Sequence, residues 1–367
     1  MAPNASRRVS FACDAGSAYN LAGNTEAMME KKLAGWLLWL ALTIAGVGGV
    51  MGTSHGTDEA HGLLVVANQV DHTLLLVDPV ARREIAHVIV GVNGHEVALS
   101  KDGRTAYVPI YGNSGVGLPG TDGRTIDVVD VAAHKLTGTI DLGKPLRPHK
   151  AQFGRDGLLY VTAELANSVD VVDTKAGKVV AQIPTGAPES HMLVLSPDGR
   201  RAYTANVGAG SVSVLDLQKR ALITVIPVAK RVQRISISND GSRVFTHDQV
   251  SPRIAVIDTA TNKISGWVPL PDVVYASTPT PDGKYLLAVS DAGKLHVVDL
   301  KSLHVVRSLE VPRSANVVTI RPDGAVAYVS CLRAGKIAVV DMRSWQVEAP
   351  IDLTPGVDGS AWEAGLN

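Results

Sequence analysis

The sequence contains only two cysteines among its 367 residues, Cys13 and Cys331. Because Cys13 falls in a segment predicted below to be removed, no disulfide framework can stabilise the mature protein. Phenylalanine is scarce as well, with three residues, and the chain has no net charge, because 35 Lys and Arg balance 35 Asp and Glu. A neutral chain lacks the electrostatic field that drives non-specific binding to nucleic acid, so we expect no nucleic-acid partner.

The residues that are abundant point to a folded protein made of short strands. Hydrophobic residues make up 46% of the chain, which excludes intrinsic disorder, and 35 glycines and 19 prolines interrupt it at short intervals. Frequent turn residues between valine-rich runs are typical of strands joined by tight turns.

The N-terminal region has the layout of an export signal. Residues 33–57 contain no Asp, Glu, Lys or Arg, and they follow the basic pair Lys31-Lys32. An apolar region at 33–52 that ends in small residues predicts a cleaved signal peptide and a periplasmic or secreted protein. The alternative is an uncleaved anchor, since about 20 apolar residues can span a bilayer. Residues 1–57 are therefore expected to lie outside the folded domain, which would occupy residues 58–367.

A repeat of about 42 residues runs along the rest of the chain, and its clearest copy is PDGRRAYTANVGAGSVSVLD at 197–216. Six copies contain an Asp-Gly pair, at Asp102-Gly103, Asp156-Gly157, Asp198-Gly199, Asp240-Gly241, Asp282-Gly283 and Asp323-Gly324. Seven copies contain an aspartate that ends a strand-like run, at Asp78, Asp130, Asp173, Asp216, Asp258, Asp299 and Asp341. The spacings between these aspartates are 52, 43, 43, 42, 41 and 42 residues, so the chain contains seven units.

Each unit holds four strand-like runs, which is the size of one propeller blade. The sequence thus predicts an all-β, seven-bladed β-propeller with four antiparallel strands per blade. The first unit lacks an inner strand, whereas the last continues into GVDGSAWEAG at 356–365. We therefore expect a C-terminal inner strand to complete the N-terminal blade and close the ring.

The runs AYVPI, LYVTAEL, AYTANV and AYVSC, with the VDVVD-like strands that follow them, resemble the YVTN-type β-propeller repeat family of exported proteins. The resemblance covers residues 62–365. It implies kinship with the haem-bearing propeller of periplasmic nitrite reductases and with lactonase-like propellers. Because one propeller frame hosts many activities, the chemistry has to be argued from the site.

The predicted site lies on the face where the inner strands enter beside the channel, called the upper face. The residues seven positions before each turn aspartate are His95, His149, His191, Gln233, Tyr275 and Asn316. Three imidazoles from adjacent blades are candidate ligands of a transition metal or a haem-like cofactor. Their alternative role is structural hydrogen bonding.

Further polar residues are expected on the same face. Tyr111 opens a Gly-rich insertion at 111–125, which is a candidate lid. Arg147, Lys230, Arg231 and Arg234 would form a basic rim that favours an anionic ligand.

Three functions follow from these residues. The first is a monomeric, exported propeller that binds a small anionic ligand or a metal-containing cofactor. The second is a scaffold that binds an envelope protein and has no cofactor. The third is a lactonase-like hydrolase, with Glu164, Glu189 and His191 as the candidate catalytic residues.

Overall fold

The structure, a computed structural model, describes residues 62–364. The predicted signal peptide or anchor, with its apolar region at 33–52, lies outside the described residues. Between residues 62 and 364, no helix is long and apolar enough to cross a membrane.

The described residues form 29 β-strands and one 3₁₀ turn, Glu164–Ala166. The first three blades contain β1 Leu63–Asn68, β2 Thr73–Asp78 and β3 Arg83–Ile89; β4 Ala98–Leu99, β5 Thr105–Gly112, β6 Asp122–Asp130 and β7 Lys135–Asp141; and β8 Pro148–Phe153, β9 Leu159–Ala163, β10 Ser168–Asp173 and β11 Lys178–Pro184. The next two contain β12 Ser190–Leu195, β13 Arg201–Asn206, β14 Ser211–Asp216 and β15 Ala221–Pro227; and β16 Val232–Ile237, β17 Arg243–Asp248, β18 Arg253–Asp258 and β19 Lys263–Pro269.

The sixth blade contains β20 Ala276–Pro279, β21 Tyr285–Ser290, β22 Lys294–Asp299 and β23 His304–Glu310. The seventh contains β24 Ala315–Ile320, β25 Val326–Cys331, β26 Lys336–Asp341, β27 Gln346–Val347 and β28 Ile351–Asp352, and both short strands pair with β26. The last strand, β29 Val357–Glu363, pairs antiparallel with β1 and becomes the inner strand of blade 1. The predicted seven-bladed propeller and its closure by a C-terminal strand are therefore confirmed.

Local turn chemistry explains why the blades recur. The glycines of the six Asp-Gly pairs have φ between 70° and 77°, a conformation that glycine adopts without steric cost. The strand-ending aspartates cap the following turn: Asp78 Oδ1 accepts hydrogen bonds from the backbone N–H groups of Val80 and Ala81, at 2.9 and 2.8 Å. Each unit therefore carries the residues that fix its own turns.

The core lies between neighbouring blades. Val65 and Ala67 of blade 1, for example, belong to one apolar cluster with Ala106 and Val108 of blade 2. The outer strands alternate between exposed and less exposed positions, as in β11, because successive side chains of a strand point to opposite faces. The two middle strands of a blade are the most fully buried, as in β9 and β10, and the side chains of the site lie on or next to the inner strands.

Candidate functional site

Each blade contributes one residue at the point where its inner strand enters beside the central channel. These seven residues, called the entry ring, are His95, His149, His191, Gln233, Tyr275, Asn316 and Asp358. Contacts join five pairs of neighbours: His95 and His149, His149 and His191, His191 and Gln233, Gln233 and Tyr275, and Asn316 and Asp358. The structure thus brings together residues that are 42 to 54 positions apart in sequence.

β-bulges let two successive side chains of one inner strand reach other blades. The pairing of β16 with β17 shifts register after Val232, so Gln233 and Arg234 together occupy the place of one residue. Gln233 contacts His191, whereas Arg234 contacts Glu96. The inner strands β8, β12 and β24 shift register at the same place. The site therefore includes the entry ring and the residues that follow it.

The three histidines form an imidazole cluster. The Nε2 atoms of His95 and His149 lie 2.5 Å apart, and the rings of His149 and His191 pack at a tilt of 33° with centroids 3.7 Å apart. Tyr111 packs edge-on against His149, at 5.5 Å between centroids. His149 and His191 are buried, whereas His95 is partly exposed. His95 is therefore the imidazole nearest to solvent.

Hydrogen-bond partners fix which nitrogen carries the proton in the first two rings. His95 Nδ1 lies 3.1 Å from the backbone oxygen and 3.0 Å from the side-chain oxygen of Asn93, so it must donate. His95 Nε2 is then an acceptor, and His149 Nε2 donates to it. The Nδ1 atom of His149 is left as an acceptor, and it is buried without a hydrogen-bond partner.

Glu164 organises the third ring. Its carboxylate accepts hydrogen bonds from His191 Nδ1 at 2.8 Å and from the Tyr111 hydroxyl at 2.9 and 3.0 Å. Burial acts to raise the pKa of Glu164, but the hydrogen bond and charge of His191, with Tyr111 and Arg147, hold it below its ordinary value. Burial and the neighbouring carboxylate raise the pKa of Tyr111. The Glu164 carboxylate thus orients the His191 ring, whose Nε2 atom lies 3.3 Å from Gln233 Nε2.

Two imidazoles are neutral at pH 7. Burial lowers the pKa of His95 to about 4, and it lowers the pKa of His149 well below the ordinary value, with further contributions from the neighbouring histidines. Neutral imidazole nitrogens have lone pairs available for a metal ion or for a hydrogen-bond donor.

An ion network crosses the channel next to this cluster. Arg234 Nη1 donates to Glu96 at 2.6 Å, and Arg234 Nη2 donates to Asp358 at 3.2 Å. Lys150 Nζ donates to the other oxygen of Glu96 at 2.8 Å, and Asn316 Nδ2 donates to Asp358 at 2.6 Å. Glu96, Arg234 and Asp358 are at most 5% exposed, so these are buried ion pairs.

The two acids of this network have opposite pKa shifts. Burial alone would raise the pKa of Glu96, but Lys150 and Arg234 outweigh burial and lower it to about 2. Burial raises the pKa of Asp358 to about 7, against the lowering effect of Arg234. Glu96 is therefore ionised at neutral pH, whereas Asp358 is poised between its two protonation states.

The predicted basic rim differs from the structure at two of its four residues. Arg234 lies inside the ring rather than on the rim. Arg147 is also buried: it donates to Asp122 at 2.6 Å and to the backbone oxygens of Gly115 and Leu118 at 3.0 and 2.8 Å. A count of charges along the sequence does not show these pairs, because each arginine binds acids that lie on other elements of the fold. Arg147 instead fastens the insertion, whose loop is shortened to residues 113–121 by the ends of β5 and β6.

The other predicted residues lie around the cluster. Lys230 is exposed, while Arg231 and Tyr275 are partly exposed. Of the three candidate catalytic residues, Glu164 and His191 are hydrogen-bonded to each other, whereas the Glu189 carboxylate packs beside Gly117 and Gly208. Burial and the negative charge of Glu164 raise the pKa of Glu189.

Sequence reasoning missed two residues of the site, Glu96 and Asp358. Asp358 was overlooked because the entry positions were counted back from Asp-Gly turns, and the last inner strand has no such turn. Counting from the strand start would have found it, because Asp358 is the second residue of β29, as His191 is of β12. Glu96 directly follows His95, so it falls outside the positions that are counted back from the turns.

The imidazole cluster does not form a three-ligand metal site in the conformation described. Across residues 62–364, no group of three or more His, Cys, Asp or Glu side chains is arranged to hold a metal ion. The shared metal at His95, His149 and His191 therefore stays a prediction.

Comparison with known proteins supports the propeller relationship. No family model matches the chain. The uncharacterised protein YncE of Salmonella typhi is 25% identical over 195 residues, which is 51% of this chain and 55% of YncE. The seven-bladed beta-propeller protein Rv1057 of Mycobacterium tuberculosis is 30% identical over 126 residues, covering 32% of this chain and 30% of that protein. The chain thus spans about half or less of the length of these relatives.

A third relative has a named activity. The dihydro-heme d1 dehydrogenase of Pseudomonas aeruginosa is 25% identical over 214 residues, covering 53% of this chain and 42% of the enzyme. The solved structure of the dihydro-heme d1 dehydrogenase NirN in complex with DHE matches with a TM-score of 0.57 and 18% identity, over 82% of this chain and 74% of that one. At this identity the structural match establishes the fold alone. The predicted resemblance to propeller-repeat proteins is confirmed.

Proposed function

We propose that this protein binds a metal-containing cofactor or a small anionic ligand at its upper face, through the imidazole cluster. One observation carries the proposal: three adjacent blades place His95, His149 and His191 in contact. A relative that acts on dihydro-heme d1 supports a cofactor as the occupant.

The donor chemistry fits a transition metal. The Nε2 atoms of His95 and His149 face each other, and an ion held by both would take the place of the hydrogen bond between them, with the proton of His149 moving from Nε2 to Nδ1. The buried Nδ1 atom of His149 lacks a partner, which normally costs about 1–3 kcal/mol. When bound, the metal would supply Lewis acidity or electron transfer, while the protein orients the imidazoles through Asn93 and Glu164. Its remaining coordination positions would come from the cofactor or from water.

An anionic ligand has fewer cations to bind than the sequence predicted. Arg147 and Arg234 are already paired with buried or partly buried acids. Lys230 is exposed and Arg231 is partly exposed, so these two residues would meet the ligand's negative charge.

The test is metal analysis and an absorption spectrum of protein purified from its native compartment, followed by titration with Zn²⁺, Cu²⁺ and haemin. We expect a ligand present at 100 times its Kd to stabilise the fold by about 2.7 kcal/mol, measured as a rise in Tm. His149→Ala should abolish this rise, whereas His304→Ala, which changes an exposed histidine on an outer strand, should preserve it. Protein with no metal, no chromophore and an unchanged Tm would favour the envelope-protein scaffold instead.

A lactonase-like hydrolase is the second candidate, and the hydrogen bond between Glu164 and His191 favours it. A carboxylate that orients an imidazole is a common general-base arrangement. In that case the wild type should hydrolyse a lactone panel, and Glu164→Gln should lower kcat by about 10²–10⁴-fold. An inactive wild type would exclude hydrolysis of the lactones tested.

We further propose that the protein is exported, to the periplasm or the medium, and monomeric. The apolar region at 33–52 supports export. Mass spectrometry of the mature N-terminus after cell fractionation would separate a cleaved signal from an anchor, and sedimentation would give the oligomeric state.

A further inference from the structure

The closing strand β29 contributes a buried residue to the entry ring. Asp358 is 5% exposed, and its Oδ1 atom accepts hydrogen bonds from Asn316 at 2.6 Å and from Arg234 at 3.2 Å. Asn316 belongs to the preceding blade, whereas Arg234 reaches Asp358 from blade 5. The closing strand β29 is thus held by side-chain hydrogen bonds across the channel as well as by its backbone pairing with β1.

The backbone of the same strand lies directly against His95. The Gly359 N–H donates a hydrogen bond to the backbone oxygen of His95 at 2.9 Å. A Cβ atom on Gly359 would lie 2.5 Å from that oxygen and 2.8 Å from the Cα atom of Glu96, closer than packed atoms approach. Glycine is therefore required here because two backbone segments approach closely.

A second connection joins β29 to the same segment through side chains. Asp358 binds Arg234, and Arg234 binds Glu96 at 2.6 Å, next to His95 in the chain. Lys150, which directly follows His149, binds the other oxygen of Glu96. The positions of His95 and of its partner His149 are thus tied to β29 by one backbone contact and one ion network.

From these contacts we propose that β29 is a positioning element of the ligand site, in which Asp358 and Gly359 fix His95 so that ring closure and ligand binding are coupled. The coupling rests on the function proposed above, whereas the positioning of His95 does not. Because coupling between two equilibria is reciprocal, a ligand bound at His95 and His149 would also strengthen the pairing of β29 with β1.

The experiment uses Zn²⁺ as the probe and the side-chain NMR resonances of His95 as a readout that needs no ligand. Two variants each weaken one of the connections. Gly359→Ala weakens the backbone contact, and Asp358→Asn weakens the ion network with little change in side-chain shape. Matched controls are Gly138→Ala, where a Cβ atom meets nothing within 4 Å, and Asp352→Asn, an exposed acid paired with Lys336. Tm measurements verify that all four variants fold.

We expect each test variant to shift the His95 resonances and to weaken Zn²⁺ binding by about 10–100-fold, the usual effect of removing a group that orients a ligand. Both controls should bind as the wild type does. Zn²⁺ should also slow hydrogen exchange at the Gly359 amide in the wild type.

A merely structural role predicts a different result. If Gly359→Ala and Asp358→Asn lower Tm but leave the His95 resonances unchanged, the proposal is overturned. If the wild type does not bind Zn²⁺, the metal function fails, and the positioning role is then decided by the His95 resonances alone.

Discussion

Replacing Arg234 with methionine tests how strongly the channel network holds the ring together. Arg234 is 5% exposed and donates to two buried acids, Glu96 and Asp358. Methionine keeps much of the side-chain volume but removes the charge, so both acids lose a partner. Breaking a buried pair by removing one partner costs about 3–5 kcal/mol.

The remaining contacts place the expected cost at the lower end of that range. Glu96 keeps Lys150 at 2.8 Å, and Asp358 keeps Asn316 at 2.6 Å. Asp358 can also take up a proton, because burial raises its pKa to about 7 even beside Arg234. We therefore expect Arg234→Met to lower the free energy of unfolding by about 3 kcal/mol, roughly a 150-fold change in the folding equilibrium.

Urea unfolding measures this loss without the ionic screening that guanidinium would add. The loss should be larger at pH 8 than at pH 6. Without Arg234, Asp358 has to be protonated in the folded state, and protonation costs more free energy at the higher pH. Arg124→Met is the matched control, since Arg124 pairs with Asp141 through two hydrogen bonds of 3.0 and 2.5 Å but is exposed. An exposed pair contributes about 0–1 kcal/mol. Equal losses in the two variants would refute the network as a stabilising element.

Two further predictions concern the dependence of stability on pH. Asp358 binds a proton more tightly in the folded state, with a pKa of about 7 against an ordinary 3.8, so it favours folding below pH 4, and this contribution is lost as pH rises from 4 to 7. The free energy of unfolding of Asp358→Asn minus that of the wild type should therefore increase between pH 4 and pH 7. A constant difference over this range would contradict the raised pKa. Burial lowers the pKa of His247 to about 3 from 6.5, so the unfolded chain binds the extra proton and stability is lost as pH falls from 6.5 to 3. His247→Gln should lose less stability than the wild type between pH 6.5 and pH 4 in urea titrations, and an equal loss would show that His247 is protonated in the fold.

The fold could be predicted because each repeat carries its own turn chemistry. An Asp-Gly pair needs a residue that tolerates positive φ, as Gly199 does at 73°, and each strand-ending aspartate caps the next turn, as Asp216 does for Lys219. These are local requirements, so they are visible in the sequence of each unit. The seven strand-ending aspartates alone give the number of blades.

The entry ring could be predicted in part, for the same reason. Register within a blade is fixed by its turn, so counting back from each turn located His95, His149 and His191 on one face. The count fails where an inner strand bulges, because a bulge sends an additional residue such as Arg234 into the channel. It also fails at Asp358, whose strand belongs to a blade formed by both ends of the chain.

Pairing between distant charges could not be predicted from the sequence, and it changes the electrostatic argument about the ligand. Arg234 binds acids 138 and 124 residues away, and Arg147 binds Asp122 of β6 and Glu164 of the 3₁₀ turn. An anion that bound either guanidinium would compete with carboxylates already paired to it, and breaking a buried ion pair costs about 3–5 kcal/mol. A metal centre would use lone pairs of neutral imidazoles instead and would leave both ion pairs intact. Under the function proposed above, the buried charges favour a metal-containing cofactor over a simple anion as the ligand.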